Sequence, residues 1–364
     1  MPLRAGGHAP PPGLVRCEDG AAGAGRAAAR GRGLLAEAAA GHGRLVFVAG
    51  EAGVGKTAFA RQVASAAAAQ VAWGACDGVS TPAPLGPLVE MAPDLPPGCH
   101  PADAPRPEVF ARVLTVLRRP PPATPYLLVI EDAHWADEST LDLVLHLSRR
   151  IHRCRAVVLV TYRPEDLDAD HLLRRVLGDA ATAAGCRRLD LAPLTPAAVR
   201  TLTAGRPGVD PDDLHRRTRG NPFFVSEVLA AGSVTVPPTV RDAVLARTAR
   251  LSGPARTALD VVALAGARTE VGLLGEVLGD GLHDLDEPIE RGMLQLSGGE
   301  LTFRHELARV AVAEQVPALR RIAVHRTILA ALTAPVTSGT RPDPARLAHL
   351  RGGRGHRGRR PVRD

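Results

Sequence analysis

"GEAGVGKT", Gly50 to Thr57, holds the only lysine of a 364-residue chain that otherwise takes its positive charge from arginine. The stretch fits the pattern G-x-x-x-x-G-K-[ST]. Before it stands "RLVFVA", a short apolar run rich in β-formers that reads as a buried strand; after it, "AFARQVASAAAAQVA" reads as a helix. Strand, glycine loop and helix in that order are the setting in which such a loop grips phosphate. Gly50, Gly53 and Gly55 let the backbone amides turn inward, while Glu51, Ala52, Val54 and Ala58 complete the cradle formed by the loop and the helix start. Lys56 then reaches the β- and γ-phosphates, and Thr57 holds Mg²⁺ through its hydroxyl. Arginine is a poor substitute for Lys56, because a compact ammonium on a flexible stem fits between phosphates where a wide planar fork does not. A composition biased so strongly towards arginine therefore keeps its lysine here.

A phosphate loop needs a second strand that brings carboxylates to the metal and to the attacking water. "PYLLVIEDAHWADEST" supplies one: the apolar run Tyr126 to Ile130 ends in Glu131 and Asp132, at the carboxyl end of a buried strand, where ligands sit in open α/β sheets. Glu131 is read as the metal-side carboxylate and Asp132 as the group that orients or deprotonates water. ATPases of this kind usually carry Asp then Glu, so the two roles are open to exchange, and both residues count as metal-facing. His134 and Trp135 either shape this loop or pack it. Leu141, Val144, Leu145, Leu147 and Ile151 follow at helical spacing. Another buried strand, "AVVLVTYRPED", carries Thr161 and Arg163 at its polar end, where Arg163 can sense the γ-phosphate or cap the strand in a pair with Glu165 or Asp166. With "QVAWGACDG" and "CRRLDLAPL" the runs make a five-stranded parallel sheet.

Composition bounds the rest. Hydrophobic residues make up 45% and charged residues 23%, a globular balance with room for two or three compact units. Much of the net charge of +7 lies in the closing stretch "RGGRGHRGRRPVR", read as a solvated tail rather than a nucleic-acid site. The five cysteines show no CxxC spacing, which argues against a disulfide framework or a zinc site and for reduced thiols in the cytoplasm. No signal-peptide pattern or membrane-length apolar run is seen. HExxH and GxSxG are also absent, which removes metalloprotease and α/β-hydrolase readings.

Beyond Thr195 the pattern turns helical. Thr195 before Pro196 and Asp210 before Pro211 are helix starts, "GNP" is a break, and together they suggest a small lid. Three helices, a hairpin around Gly298 and Gly299 in "MLQLSGGELTFRH", and a last helix bent at Pro317 describe a winged helix. The expected division is a poorly ordered segment at 1–33, a nucleotide domain at 34–195, a helical lid at 196–235, a winged-helix domain at 236–334 and a basic Arg/Gly-rich tail at 335–364.

"AGEAGVGKT", "VIEDAHWAD", "TYRPED", "RGNPFFVSEVL" and "FRHELARVAV", in this order, resemble the ATPase region of the large ATP-binding regulators of the LuxR family. Those are signal-transduction ATPases with numerous domains (STAND), relatives of the AAA-type ATPases. The resemblance covers roughly residues 34–349. It implies an α/β P-loop NTPase fold followed by a helical lid and a winged helix, closed around ADP at rest and opened by ATP exchange for self-association. It also implies that Pro222 contacts the adenine and that His305 touches the nucleotide phosphates. Two features depart from the family. "LVRCEDGAAGAGRAAARGRG" stands where an adenine-wrapping "GRE" segment is usual, and the chain stops short of the family's helical repeats and helix-turn-helix. The expected activity is a slow ATPase switch with Mg²⁺, touching nucleic acid only indirectly or through that missing module. The alternatives are a DNA-associated ATPase resembling origin-recognition proteins and a nucleotide-binding module without turnover.

Overall fold

The computed structural model describes residues 14–17, 21–65, 68–79, 82–119, 124–232 and 236–333. The basic tail expected at 335–364 lies outside the described residues, as do residues 1–13 and 18–20 of the N-terminal segment. The described chain divides into two compact units, one holding residues up to 215 together with 220–223, the other holding 216–219 and the residues from 224 on. The segment 196–235, expected from the sequence to be a lid, is thus divided between them.

The first unit is built on a parallel sheet of six strands: β1 (Leu14–Cys17), β2 (Arg44–Ala49), β3 (Gln70–Ala75), β4 (Tyr126–Glu131), β5 (Ala156–Tyr162) and β6 (Cys186–Leu191), in spatial order β1-β6-β2-β5-β4-β3. Five of these are the runs read as strands from the sequence. The sixth, β1, and the helix α1 (Ala21–Ala39) stand within the segment expected to be poorly ordered, and this changes the reading of 1–33. Four residues are too few to show a period, and the apolar face of α1 is marked mainly by Leu34, Leu35 and Ala38 near its end.

Continuous apolar runs suit a parallel sheet because both of its faces are covered. Alternation along the strands divides the core in two. Leu45, Phe47, Leu128, Ile130, Val158 and Val160 face the helices Gly86–Met91, Arg106–Arg118, Glu138–Ser148 and Leu172–Ala180. Val46, Val48, Leu127, Val129, Val157 and Leu159 face α1 and α2 (Lys56–Ser65), which contribute Leu34, Leu35, Phe59, Ala60 and Val63. Burying about two apolar side chains on each face of β2, β4 and β5 stabilises the layers by roughly 1.5–3 kcal/mol per side chain before conformational entropy is subtracted.

The second unit carries the helices Pro238–Thr248, Gly253–Ala265, Val271–Leu278, Asp286–Glu290, Glu306–Gln315 and Ala318–Thr333. Beside them stands an antiparallel sheet of β7 (Thr269–Glu270), β8 (Leu294–Ser297) and β9 (Glu300–Phe303), in order β7-β9-β8. Gly298 and Gly299, with φ of 60° and 80°, form the two-residue turn that joins β8 to β9. Gly253–Ala265 buries eight of its residues, more than an amphipathic stripe, and is the central helix of this unit. The long final helix expected from the sequence is two helices. Proline at 317 has no N–H to continue the first, and the break falls at Val316 and Pro317.

At the entry to β2 an added Cβ on Gly43 would lie 2.3 Å from the carbonyl oxygen of Ile151, 2.8 Å from that of Cys154 and 2.9 Å from that of Ala156. Backbone atoms cannot yield as a side chain does. Gly43→Ala is expected to cost about 2–3 kcal/mol and to lower the melting temperature by about 5–10 °C in a thermal scan.

Burial pushes three thiols up, Cys76 to about 12 and Cys154 and Cys186 to about 11. Thiols that keep their protons when folded stabilise the protein fully below the ordinary thiol range near 9 and lose that contribution as pH rises through 11. Lys56, held down to about 8, acts with the opposite sign but is a single group. Urea unfolding is expected to show stability rising slightly between about pH 8 and 9 through Lys56 and falling above about pH 9 as the thiol contributions are lost, with a shallower fall in a Cys154→Ala, Cys186→Ala variant.

Candidate functional site

All six strands run parallel, so their carboxyl ends share one edge of the sheet. Gly50 follows β2, Glu131 closes β4 and Arg163 follows β5, which brings the glycine loop, the acidic pair and the arginine to that edge. The loop takes its shape from positive φ at Gly53 (78°) and Gly55 (101°). Gly53 is required for space as well, because a Cβ there would stand 2.7 Å from Cβ of Phe223 and 2.9 Å from Oδ1 of Asn221.

Lys56 opens α2 and is buried, 7% exposed; its Nζ donates to the carbonyls of Gly50 at 2.8 Å and Glu51 at 3.0 Å. Burial holds its ammonium down at about 8, and the Arg163 charge pushes the same way, against Glu165, Asp132 and Asp166. Next to it, Thr57 donates its hydroxyl to Glu131 Oε1 at 2.5 Å, and Trp73 donates Nε1–H to Glu131 Oε2 at 3.1 Å. Both carboxylate oxygens of Glu131 are therefore oriented by neighbours on β3 and α2.

Asp132 adopts a left-handed conformation, φ 51°, that turns the chain sharply off β4. Its amide donates to Thr161 Oγ1 at 3.0 Å, which locks the turn to β5. Asp132 Oδ1 is 3.9 Å from Arg163 Nε and 3.8 Å from His134 Nδ1. Arg163 also pairs with Asp166 at 3.5 Å and lies 5.2 Å above the Trp135 ring. His134 is buried, with Nε2 3.4 Å from Asp166, and packs at 4.6 Å on Trp135. Glu131 thus stands with Thr57, and Asp132 with Arg163 and His134.

Three further residues complete the site, and the sequence reading gave them no part in it. Trp73 steadies Glu131. Glu165 accepts the Ala52 amide N–H at 3.0 Å. Asn221 is 1% exposed and donates Nδ2 to Glu51 Oε1 at 2.8 Å and to the Ala52 carbonyl at 2.9 Å. The "GNP" stretch was read as a helix break, and nothing local to it shows that its asparagine braces a loop 169 positions away. Pro222 starts the helix Pro222–Ala231 beside this brace, where the Phe223 amide donates to the Gly53 carbonyl at 3.2 Å. His305 lies in the second unit, 4% exposed, with Nδ1 2.9 Å from the Thr218 carbonyl and its ring edge-on to Phe224 at 4.7 Å.

The donor set fits a polyphosphate with Mg²⁺. A glycine loop leading into a helix N-terminus and a buried ammonium suit phosphate oxygens, and Thr57 with Glu131 offers the hydroxyl and carboxylate from which Mg²⁺, sharing the nucleotide's oxygens, is usually held. Among the described residues no group of three or more His, Cys, Asp or Glu side chains could hold a metal ion unaided, and no helix is long and apolar enough to cross a membrane.

Asn221→Ala leaves the Glu51 and Ala52 acceptors without this donor. The variant is expected to lose about 1–3 kcal/mol of stability, and amide hydrogen exchange at Gly53 to Gly55 should become faster while exchange in β4 and β5 is unchanged.

Residues 29–160 match the family model described as AAA ATPase domain, a family that binds nucleotide, usually with Mg²⁺. No curated protein matches the chain. Among solved structures, a Walker-type ATPase of Pyrococcus abyssi is similar with a TM-score of 0.55 at 10% identity, over 79% of this chain and 94% of that one. A STAND protein with a tetratricopeptide repeat sensor from Pyrococcus horikoshii aligns over 88% of this chain at 17% identity and a TM-score of 0.39; the chain spans 46% of that protein's length. Cdc6p of Pyrobaculum aerophilum aligns over 80% of this chain and 94% of its own at 15% identity and a TM-score of 0.40. At such identities the Walker-type ATPase speaks for the fold alone, and the other two likenesses are too loose to carry an argument. The match to the AAA ATPase domain takes in the glycine loop, Lys56, Thr57, Glu131 and Asp132.

Proposed function

We propose that this chain binds ATP and ADP with Mg²⁺ and hydrolyses ATP slowly, as the nucleotide switch of a LuxR-type regulator of the STAND class. The observation that carries the reading is the convergence of Lys56, Thr57, Glu131 and Asp132 at one edge of a parallel sheet, inside the AAA ATPase domain match. Mg²⁺, when bound, neutralises phosphate charge and orients the terminal phosphate for in-line attack. Thr57 and Glu131 would hold that ion. Lys56 places its ammonium among the phosphates, leaving the carbonyls that now receive it. Asp132, fixed by the hydrogen bond from its backbone N–H to Thr161 Oγ1, orients the attacking water and accepts its proton. Arg163, close to Asp132, counters charge on the terminal phosphate.

The second unit is proposed to be a winged helix, a reading supported by its helices and the β7-β9-β8 sheet. The assignment of Pro222 to the adenine and of His305 to the phosphates is carried over from the family resemblance. So are self-association on ATP exchange and a place in transcription regulation, while a cytoplasmic setting is proposed from the cysteine pattern.

The test is to extract nucleotide from freshly purified protein and to assay ATP hydrolysis beside Lys56→Ala and Asp132→Ala. Bound ADP and slow turnover are expected in the wild type. Lys56→Ala should weaken binding at least about 100-fold, and Asp132→Ala should lower turnover about 100-fold with affinity within about three-fold. Folded wild-type protein that carries no nucleotide and binds no added ATP would sink the reading.

A further inference from the structure

Glu165 takes no part in the chemistry above, yet its carboxylate sits on the phosphate loop. It leaves the short 3₁₀ turn Pro164–Asp166 that follows β5, and its Oε1 accepts the Ala52 amide N–H at 3.0 Å, across 113 positions of sequence. Ala52 lies near the start of the loop, two residues after Gly50. One anion is already seated there, and it belongs to this chain.

The two ends of the loop differ in consequence. At one end Lys56, Thr57 and Ala58 begin α2 and offer helix amides with the positive end of the helix dipole, a seat for an inner phosphate. At the other end stand Ala52 with Glu165, and beyond them the carboxylates of Asp132 and Asp166 with the guanidinium of Arg163 between them. A diphosphate on the helix amides leaves the pair of Ala52 and Glu165 in place. Glu165 also acts electrostatically on the Lys56 ammonium, so a third phosphate drawn to that ammonium would compete for the amide and bring further negative charge against a carboxylate.

We propose that Glu165 sets the nucleotide preference of this loop, holding the Ala52 amide so that a nucleoside diphosphate is accepted while the additional phosphate of a triphosphate is opposed. The inference rests on the nucleotide-binding reading above and adds to it the residue that favours the diphosphate state. Triphosphate entry then requires the Glu165 side chain to withdraw, which ties the turn after β5 to the identity of the bound nucleotide.

The test uses the whole chain and calorimetric Kd values for Mg-ADP and for a non-hydrolysable Mg-ATP analogue, with wild type, Glu165→Gln and Glu165→Ala. Glu165→Gln keeps an oxygen acceptor of the same shape for the Ala52 amide and drops the charge, and the part-exposed site should refold unchanged by circular dichroism. The expected result is a Kd for the triphosphate analogue about ten-fold lower, with the Kd for ADP moving less than about three-fold, and a shift in the same direction for Glu165→Ala. Equal weakening of both nucleotides would make Glu165 a brace of the loop and overturn the proposal, as would an unchanged ratio of the two Kd values. Wild-type protein that binds neither nucleotide defeats the nucleotide-binding reading and this inference with it. Wild-type protein that binds both, with a ratio indifferent to Glu165, defeats the inference alone.

Discussion

Burying the Lys56 ammonium commits the loop to a shape in which the carbonyls of Gly50 and Glu51 point at Nζ. A buried cation without such partners would be costly, so the loop and the lysine are made for each other. The shape in turn requires the positive φ of Gly53 and Gly55 and the brace from Asn221. The carbonyls that hold the ammonium are a resting arrangement. In the nucleotide-binding function proposed above, a polyphosphate offers the same ammonium stronger, charged acceptors, and one set is exchanged for the other.

Around that cation the acidic residues are sorted by what each one touches. Glu131 has Thr57 and Trp73 on its two oxygens; Asp132 has Arg163 and His134; Asp166 has Arg163 and His134 from the other side; Glu165 has the Ala52 amide. Four carboxylates within one end of a sheet would repel one another strongly if left to themselves. The structure divides them among a hydroxyl, an indole, a guanidinium, an imidazole and a backbone amide. Glu131 and Asp132 are adjacent in sequence yet have different partners, because the left-handed turn at Asp132 sends its side chain towards β5.

Much of the first unit was legible in the sequence. Three continuously apolar runs, 45–49, 126–130 and 156–160, read as strands of a sheet covered on both faces, and the more mixed runs at Gln70–Ala75 and Cys186–Leu191 completed it. The lysine motif marked which of them carried the loop. The edge strand β1 and helix α1 were hidden because alanine, glycine and arginine leave little hydrophobic period to read. Asn221 and Glu165 were hidden for another reason: each acts on the loop from more than a hundred positions away, and local pattern holds no trace of such a contact. In the second unit the Gly298–Gly299 turn was legible because a two-residue hairpin turn demands those conformations, whereas the break at Pro317 was read as a bend.

The chain has two tryptophans, and both serve this site. Trp73 gives its indole N–H to Glu131, and Trp135 lies beneath the Arg163 guanidinium. Indole emission is quenched or shifted by a neighbouring carboxylate or cation, so ultraviolet fluorescence of the unlabelled protein comes almost wholly from the edge of the sheet where the loop lies. The protein carries its own optical probe, blind to events elsewhere in the chain and sensitive to any rearrangement of Glu131 or Arg163.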